Sequence, residues 1–375
     1  MALFVWCCMI IKGNIFEDLF VLELANNHWG HVERGIKIVT SFAQVVRFNN
    51  VKAAIKLQLR DVDNFIHRDF KDRQDVRYIK KTLDTRLEES WYQQLVDTIR
   101  KNSCITMATP FDEYSVDSCV RLGIDIIKIA SSDINDWVLI EKIATTRKPV
   151  IVSTGGSSLK DIDDLVSFFE KRSIPLAINH CVSIYPAEKN ELELNQIDFL
   201  RERYPGHIIG FSTHERNDRL EDSMLIAYAK GARTFERHID IEADNIPVSP
   251  YCSLPKDIDR WLRAYKKAVL LCGHSGKSKN IPQGKEVTYL NALVRGVYAR
   301  HYLPKGHILD DEDIYLAIPL QKGQISCREY MCGEVLLRDI APDEPIQIHD
   351  VDTPYAHDTD FIQMVEQRGL GPMMQ

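Results

Sequence analysis

The run Ile208-Ile-Gly-Phe211 leads into Ser212-Thr-His214, and Arg233-Thr-Phe-Glu236 leads into Arg237-His238. Both runs are short, apolar and β-branched or aromatic, so both read as strands. The interval between them is about one strand–helix–strand unit. Two strands joined in that way lie parallel and adjacent, which brings both imidazoles to the same end of a sheet. On neighbouring strands of a barrel, His214 and His238 can hold one divalent cation beside Ser212.

Working outward, the same pattern repeats along the chain. Further strand-like runs occur at Phe20–Leu24, Ala53–Leu57, Ile105–Ala108, Ile124–Ile129, Val150–Ser153 and Leu176–Asn179. Amphipathic stretches at Gly35–Val46, Glu88–Arg100, Trp137–Thr145 and Leu159–Arg172 separate most of them. Eight strands alternating with helices predict an α/β fold, a closed (β/α)8 TIM barrel, with an open doubly wound sheet as the alternative.

The charged stretch from Arg60 to Arg86 is long for a βα connection, and such loops often cover a barrel's site. After a helix at Ile258–Leu271, the run Cys272-Gly-His-Ser-Gly-Lys-Ser reads as a linker. The expected organisation is a barrel domain over 1–271, a linker over 272–285, a compact small domain over 286–352 and a loose tail over 353–375.

Bulk properties bound the function. The net charge of -7 argues against nucleic acid or an anionic membrane surface as partner. Nine cysteines, odd in number and without a CxxC pair, fit a reducing, cytoplasmic setting better than a disulfide framework. The apolar opening Met1–Ile11 lacks a basic start and a cleavage site, so it reads as a strand or a misplaced start rather than a signal peptide.

Polar residues gather where the predicted strands end. Glu23 follows the first; Lys56 and Gln58 end the second; Thr109 ends the third. Lys128, Ser131 and Asp133 come from the fourth, Ser153 from the fifth, Ser183 and Tyr185 from the sixth. Ser212 and His214 close the seventh and His238 the eighth. Barrel enzymes place their sites on that rim. Lys56 and Lys128 with Ser131, Ser153 and Ser212 form a phosphate cradle of charge-assisted donors. Two imidazoles with oxygen ligands suit Mn²⁺ or Co²⁺, with Mg²⁺ possible.

At these residues the chain resembles the sialic acid (N-acetylneuraminate) synthase family, which includes the legionaminic and pseudaminic acid synthases. The matching strings are Glu23-Leu-Ala-Asn-Asn-His-Trp-Gly30, Ile55-Lys-Leu-Gln58, Ala108-Thr-Pro-Phe111 and Ile127-Lys-Ile-Ala-Ser-Ser-Asp133. They continue with Val152-Ser-Thr-Gly155, Asn179-His-Cys-Val-Ser-Ile-Tyr-Pro186, Gly210-Phe-Ser-Thr-His214 and Glu236-Arg-His238. The small domain resembles the family's antifreeze-like (SAF, β-clip) domain through Pro304-Lys-Gly306 and Ile340-Ala-Pro-Asp-Glu-Pro345.

The resemblance implies a C–C bond-forming transferase that condenses phosphoenolpyruvate with an N-acylated hexosamine aldehyde to give a nonulosonic acid and phosphate. It implies that His214 and His238 bind the metal and that Glu23 lies at the reaction centre. It further implies that Lys56, Lys128, Ser131, Ser153, Ser183 and Ser212 hold phosphoenolpyruvate, and that Gln58, Thr109, Asp133 and Tyr185 face the sugar. A domain-swapped homodimer follows by the same analogy.

Two departures touch the acceptor end. The family's acidic sugar contact aligns with Ser249, and its small-domain arginine aligns within Ala317-Ile-Pro319, with Gln321, Lys322 and Arg328 as possible replacements. The expectation is therefore retained phosphoenolpyruvate and metal use with an acceptor other than N-acetylmannosamine. The competing expectations are a barrel synthase that takes a sugar phosphate and a non-catalytic sugar-binding relative.

Overall fold

The computed structural model describes residues 14–73, 75–273, 278–291, 293–355 and 358–371. The expected opening strand and part of the expected linker lie outside these residues. Contacts divide the chain after Gly273 into two units.

The first unit is a closed barrel whose strands run in sequence order. They are β1 Leu19–Ala25, β2 Lys52–Leu59, β3 Ile105–Pro110, β4 Ile126–Ile129, β5 Val150–Ser153, β6 Leu176–Cys181, β7 Ile208–Thr213 and β8 Thr234–His238. β1 pairs in parallel with both β2 and β8, with Leu19 opposite Thr234 and Glu23 opposite His238. That seam excludes the open sheet.

The outward residues of the strands are apolar and pack under amphipathic helices. The helix Val32–Asn49 buries Val32, Gly35, Ile38, Val39, Phe42 and Val46, a single stripe at three- and four-residue spacing. It stops at Asn50, whose φ of 51° is left-handed. Leu159–Lys171 starts at a capping box of Ser158 and Asp161. The helix Pro255–Cys272 covers the seam itself. Trp261 meets the Phe20 ring edge-on at 5.4 Å, and Phe20 stacks on Phe235 across the β1–β8 junction at 5.5 Å. Each of these side chains contributes roughly 1.5–3 kcal/mol by leaving water, so the last strand pair is held by its outer face.

The inward residues divide into two halves. Leu19, Val21, Ala54, Met107, Ile126, Ile151 and Ala177 form a dry lower plug closed by Phe16. Two residues further along most of the same strands, the inward positions are Glu23, Lys56, Thr109, Lys128, Ser153, Asn179, Ser212 and Glu236, all buried. Strand alternation alone puts them there.

Several expected strands are longer in the structure. β2, β3, β6, β7 and β8 run two residues past their apolar cores because polar residues such as Gln58, Thr109, His180, Ser212 and Arg237 continue the ladder. The Arg60–Arg86 stretch is partly ordered into a turn of helix at Val62–Phe65 and the helix Arg77–Asp84.

The second unit has its own core of Val297, Leu303, Leu309, Ile314, Ile325, Leu336, Ile340 and Ile346. Two short antiparallel pairs frame it, Gly296–Ala299 with Ile314–Ala317 and Val335–Leu336 with Val351–Asp352. The tail is not loose between 358 and 371. Thr359–Glu366 is a helix started by Asp358, and Phe361, Ile362 and Val365 pack on the small core. Arg368 pairs with Glu329 at 2.8 Å. The polar composition of the tail hid this three-residue apolar stripe.

Candidate active site

The polar upper half of the barrel is a connected set of side chains. Lys56 Nζ lies 3.1 Å from Glu23 Oε2 and 2.7 Å from Glu236 Oε1. Gln58 donates to Glu23 Oε1 at 2.7 Å, and Lys56 donates to Thr109 at 3.4 Å. Lys128 Nζ lies 3.6 Å from Glu236 Oε2 and donates to Ser153.

Beside Lys128 the backbone opens into a cradle. Ser131 accepts from the Gly155 N–H at 3.1 Å. A Cβ at Gly155 would stand 2.2 Å from Ser183 Oγ and 3.0 Å from Ser131 Oγ, so the missing side chain is what lets three donors converge. The Cys181 thiol is buried beside this cradle, and burial raises its pKa. Gly210 is required for a similar reason: a Cβ there would fall 2.1 Å from Asn179 Oδ1.

Across the mouth, the His214 and His238 rings are 5.3 Å apart, with Tyr185 3.9 Å from the His214 ring and 6.2 Å from His238. His214 Nδ1 lies 3.0 Å from the Val182 carbonyl. A carbonyl only accepts, so Nδ1 carries the hydrogen and Nε2 keeps its lone pair.

A NeuB family model matches residues 45–276. The chain belongs to the NeuB family. A SAF domain model matches residues 294–352 of the same chain. Similar proteins include the N-acetylneuraminate-9-phosphate synthase of Drosophila melanogaster, 24% identical over 90% of this chain and 97% of the relative. The N,N'-diacetyllegionaminic acid synthase of Campylobacter jejuni is 24% identical over 88% of this chain and 99% of the relative. Among solved structures, spore coat polysaccharide biosynthesis protein E of Chromobacterium violaceum is 37% identical, with a TM-score of 0.86 over 90% of this chain and 100% of that one. This NeuB chain is an enzyme of that family.

Burial decides the charges in the NeuB site. It disfavours the Lys56 ammonium, but Glu23 and Glu236 outweigh it and hold the pKa above the usual lysine value. Lys128 is equally buried with only Glu236 close, so its pKa is lowered. For Glu236, burial is overcome by Lys128 and Lys56, and its pKa falls to about 2. Glu23 goes the other way, raised by burial that Lys56 only partly offsets. Burial lowers His214 to about 4 and His238 well below the usual value, so both imidazoles are neutral near pH 7. Neutral, adjacent imidazoles are the form a divalent cation needs, and the 5.3 Å between the rings offers it two ligands; no group of three or more histidine, cysteine, aspartate or glutamate side chains placed to hold an ion occurs among the described residues.

Two sequence-selected residues stand apart from this network. Among the described residues the Asp133 carboxylate accepts only from Ser132, and its Oδ2 is buried without a partner. Burial raises its pKa. Ser249 lies on the loop after β8, two residues before Tyr251, whose ring is 5.3 Å from His238. Gln321, Lys322 and Arg328 are all exposed on the second unit.

Sequence reasoning passed over Glu236 and Asn179. Glu236 is the shared counterion of both lysines, and Asn179 has both amide atoms buried and unpartnered. The signal was available: Glu236 is two residues before His238 and Asn179 is two before Cys181, so each shares the inward face. A hollow of about 390 Å³ beside Ala187–Asn195 touches none of Lys56, Lys128, His214 and His238, and its lining mixes cations such as Lys189 and Arg219 with carboxylates such as Glu193 and Asp218.

Proposed function

We propose that this NeuB chain condenses phosphoenolpyruvate with the open-chain aldehyde of an N-acylated hexosamine, giving a nonulosonic acid and phosphate. The observation that carries this reading is the pairing of a buried lysine–serine cradle with two neutral imidazoles across one barrel mouth. The named activities of the relatives, synthases of N-acetylneuraminate 9-phosphate and of N,N'-diacetyllegionaminic acid, support the product class.

In this reading Lys128, Ser131, Ser153, Ser183, Ser212 and the Gly155 N–H hold the phosphate. Lys128 is the better-placed phosphate cation, because Lys56 is already neutralised by two carboxylates. His214 and His238 would hold a divalent cation, Mn²⁺ best and Mg²⁺ or Co²⁺ as alternatives, which would supply Lewis-acid polarisation of the aldehyde oxygen. Carbon 3 of phosphoenolpyruvate attacks the aldehyde carbon, the C=O pair becoming an alkoxide and then a hydroxyl. Water adds to the cationic carbon 2, its proton passes to a carboxylate, and the C–O bond to phosphate breaks to leave the keto acid. Glu23 in the mouth is the candidate base, with Asp133 past β4 as the alternative, and burial raises the pKa of each above the usual carboxylate value.

Gln58, Thr109, Tyr185 and Ser249 lie toward the acceptor. With serine at 249 and Ile318 in the small domain, we propose an acceptor other than N-acetylmannosamine. We also propose cytoplasmic action as a homodimer. No helix among the described residues is long and apolar enough to cross a membrane.

Phosphate release is to be measured with Mn²⁺, phosphoenolpyruvate and a panel of mono- and diacetamido hexoses, free and 6-phosphorylated. Release with none of them defeats the condensation. Equal rates with N-acetylmannosamine and the best alternative defeat the altered acceptor, and turnover of phosphorylated sugars alone favours a sugar phosphate acceptor.

A further inference from the structure

One buried guanidinium ties together the two strand ends that carry the histidines. Arg237 precedes His238 and points out of the barrel, fully buried. Its Nη1 donates to Glu215 Oε1 at 2.9 Å, and its Nη2 to the Glu215 carbonyl at 2.9 Å and Asn217 Oδ1 at 3.0 Å. Its Nε donates to Ser253 Oγ at 2.5 Å. Glu215 is the residue after His214. Ser253 in turn donates its hydroxyl to Asn217 at 2.6 Å and its backbone N–H to the His238 carbonyl at 2.8 Å. The Ala187 N–H closes the other side on the His214 carbonyl at 3.1 Å.

The two rings differ in how they are held. His214 has its own hydrogen bond to Val182, whereas no hydrogen bond from the His238 ring occurs among the described residues. Tyr185 and Tyr251 touch the His238 ring only edge-on. The place of His238 is therefore set by its backbone, and that backbone is fixed by Arg237 on one side and Ser253 on the other. An apolar pair of equal volume would fill the same space without desolvating charges. What the ion pair adds is direction: a planar fork meets acceptors on both strands at fixed angles.

We propose that Arg237 and Glu215 are positioning residues that set the separation of the His214 and His238 imidazoles for cation capture. This rests on the metal reading above, and neither residue touches substrate. The test is calorimetric titration of Mn²⁺ into the wild-type full chain, His214→Ala, Glu215→Gln, Ser253→Ala and the double variant Glu215→Met/Arg237→Met, with thermal midpoints measured in parallel.

Glu215→Gln is expected to weaken Mn²⁺ binding roughly 10–100-fold, the usual effect of losing a partner that orients metal ligands. Ser253→Ala is expected to weaken it less, with a midpoint close to wild type. The double variant replaces the ion pair by apolar contact, so it is expected to fold even if Glu215→Gln does not, and still to bind Mn²⁺ poorly. Wild-type affinity in the folded double variant and in Ser253→Ala overturns the positioning role. A wild-type chain that takes up no Mn²⁺ overturns the metal reading itself, and this inference with it.

Discussion

The lower and upper halves of the barrel interior are built on largely the same strands, in the same alternation, and do opposite things. Below, Leu19, Met107, Ile126 and Ile151 exclude water and carry no chemistry. Above, two residues beyond Val21, Met107, Ile126 and Ile151, Glu23, Thr109, Lys128 and Ser153 are as deeply buried and are all polar. Burial in the lower half stabilises directly. In the upper half it disfavours every charge, and mutual pairing outweighs that penalty at Lys56 and Glu236. The comparison teaches that the plug is the support that makes an unfavourable upper layer tolerable.

The division breaks if substitutions above and below act alike. The largest effect is expected at His214→Ala: phosphate release falls by about 10³-fold, the several kcal/mol that a Lewis acid supplies, with the thermal midpoint nearly unchanged. Glu236→Ala strips Lys128 of its one close carboxylate and Lys56 of one of two. Removing one partner of a buried pair costs roughly 3–5 kcal/mol, so urea denaturation should show a loss of that size together with lost turnover. Met107→Ala lies on the other side of the boundary. It is expected to destabilise by roughly 2–5 kcal/mol while the KM for phosphoenolpyruvate stays at the wild-type value. A changed KM there would erase the distinction between the halves.

Two smaller effects sharpen it within the upper half. Gly155→Ala pushes a methyl group against Ser183 and is expected to raise the KM for phosphoenolpyruvate about tenfold, roughly 1.4 kcal/mol, leaving the acceptor KM alone. Ser249→Ala removes one hydroxyl from the loop after β8. Its expected effect on acceptor KM is about threefold or less, and a larger one would give the β8 loop a direct hold on the sugar.

Much of this was legible in the sequence because a strand's period is two and a barrel's rim is one-sided. Apolar runs followed by Lys128, Ser153 or His214 announce both the strand and its business end. What escaped notice lies inside the strands rather than past them. Glu236 sits in a run read as apolar, and its partners Lys56 and Lys128 come from distant parts of the chain, so the pairing is visible only once the barrel closes. Asp133 shows the converse: its position past β4 suggested membership of the set, yet a turn of 3₁₀ helix at Ser131–Asp133 leaves its carboxylate bonded, among the described residues, only to Ser132. The ordered tail was missed because Phe361, Ile362 and Val365 are too few to mark an element without the small core that receives them.

The alternation of β8 has a consequence for how such a chain can change. Its last three residues, Glu236, Arg237 and His238, face in, out and in. Loss or gain of one residue upstream would turn the carboxylate and the imidazole into the helical shell and swing the guanidinium into the lumen, exchanging a cation's ligand for a fixed positive charge. Length variation within this strand is therefore admissible only in even steps. New acceptor preferences would have to arise in the loops beyond it, where Tyr185, Ser249 and Tyr251 lie free of that parity.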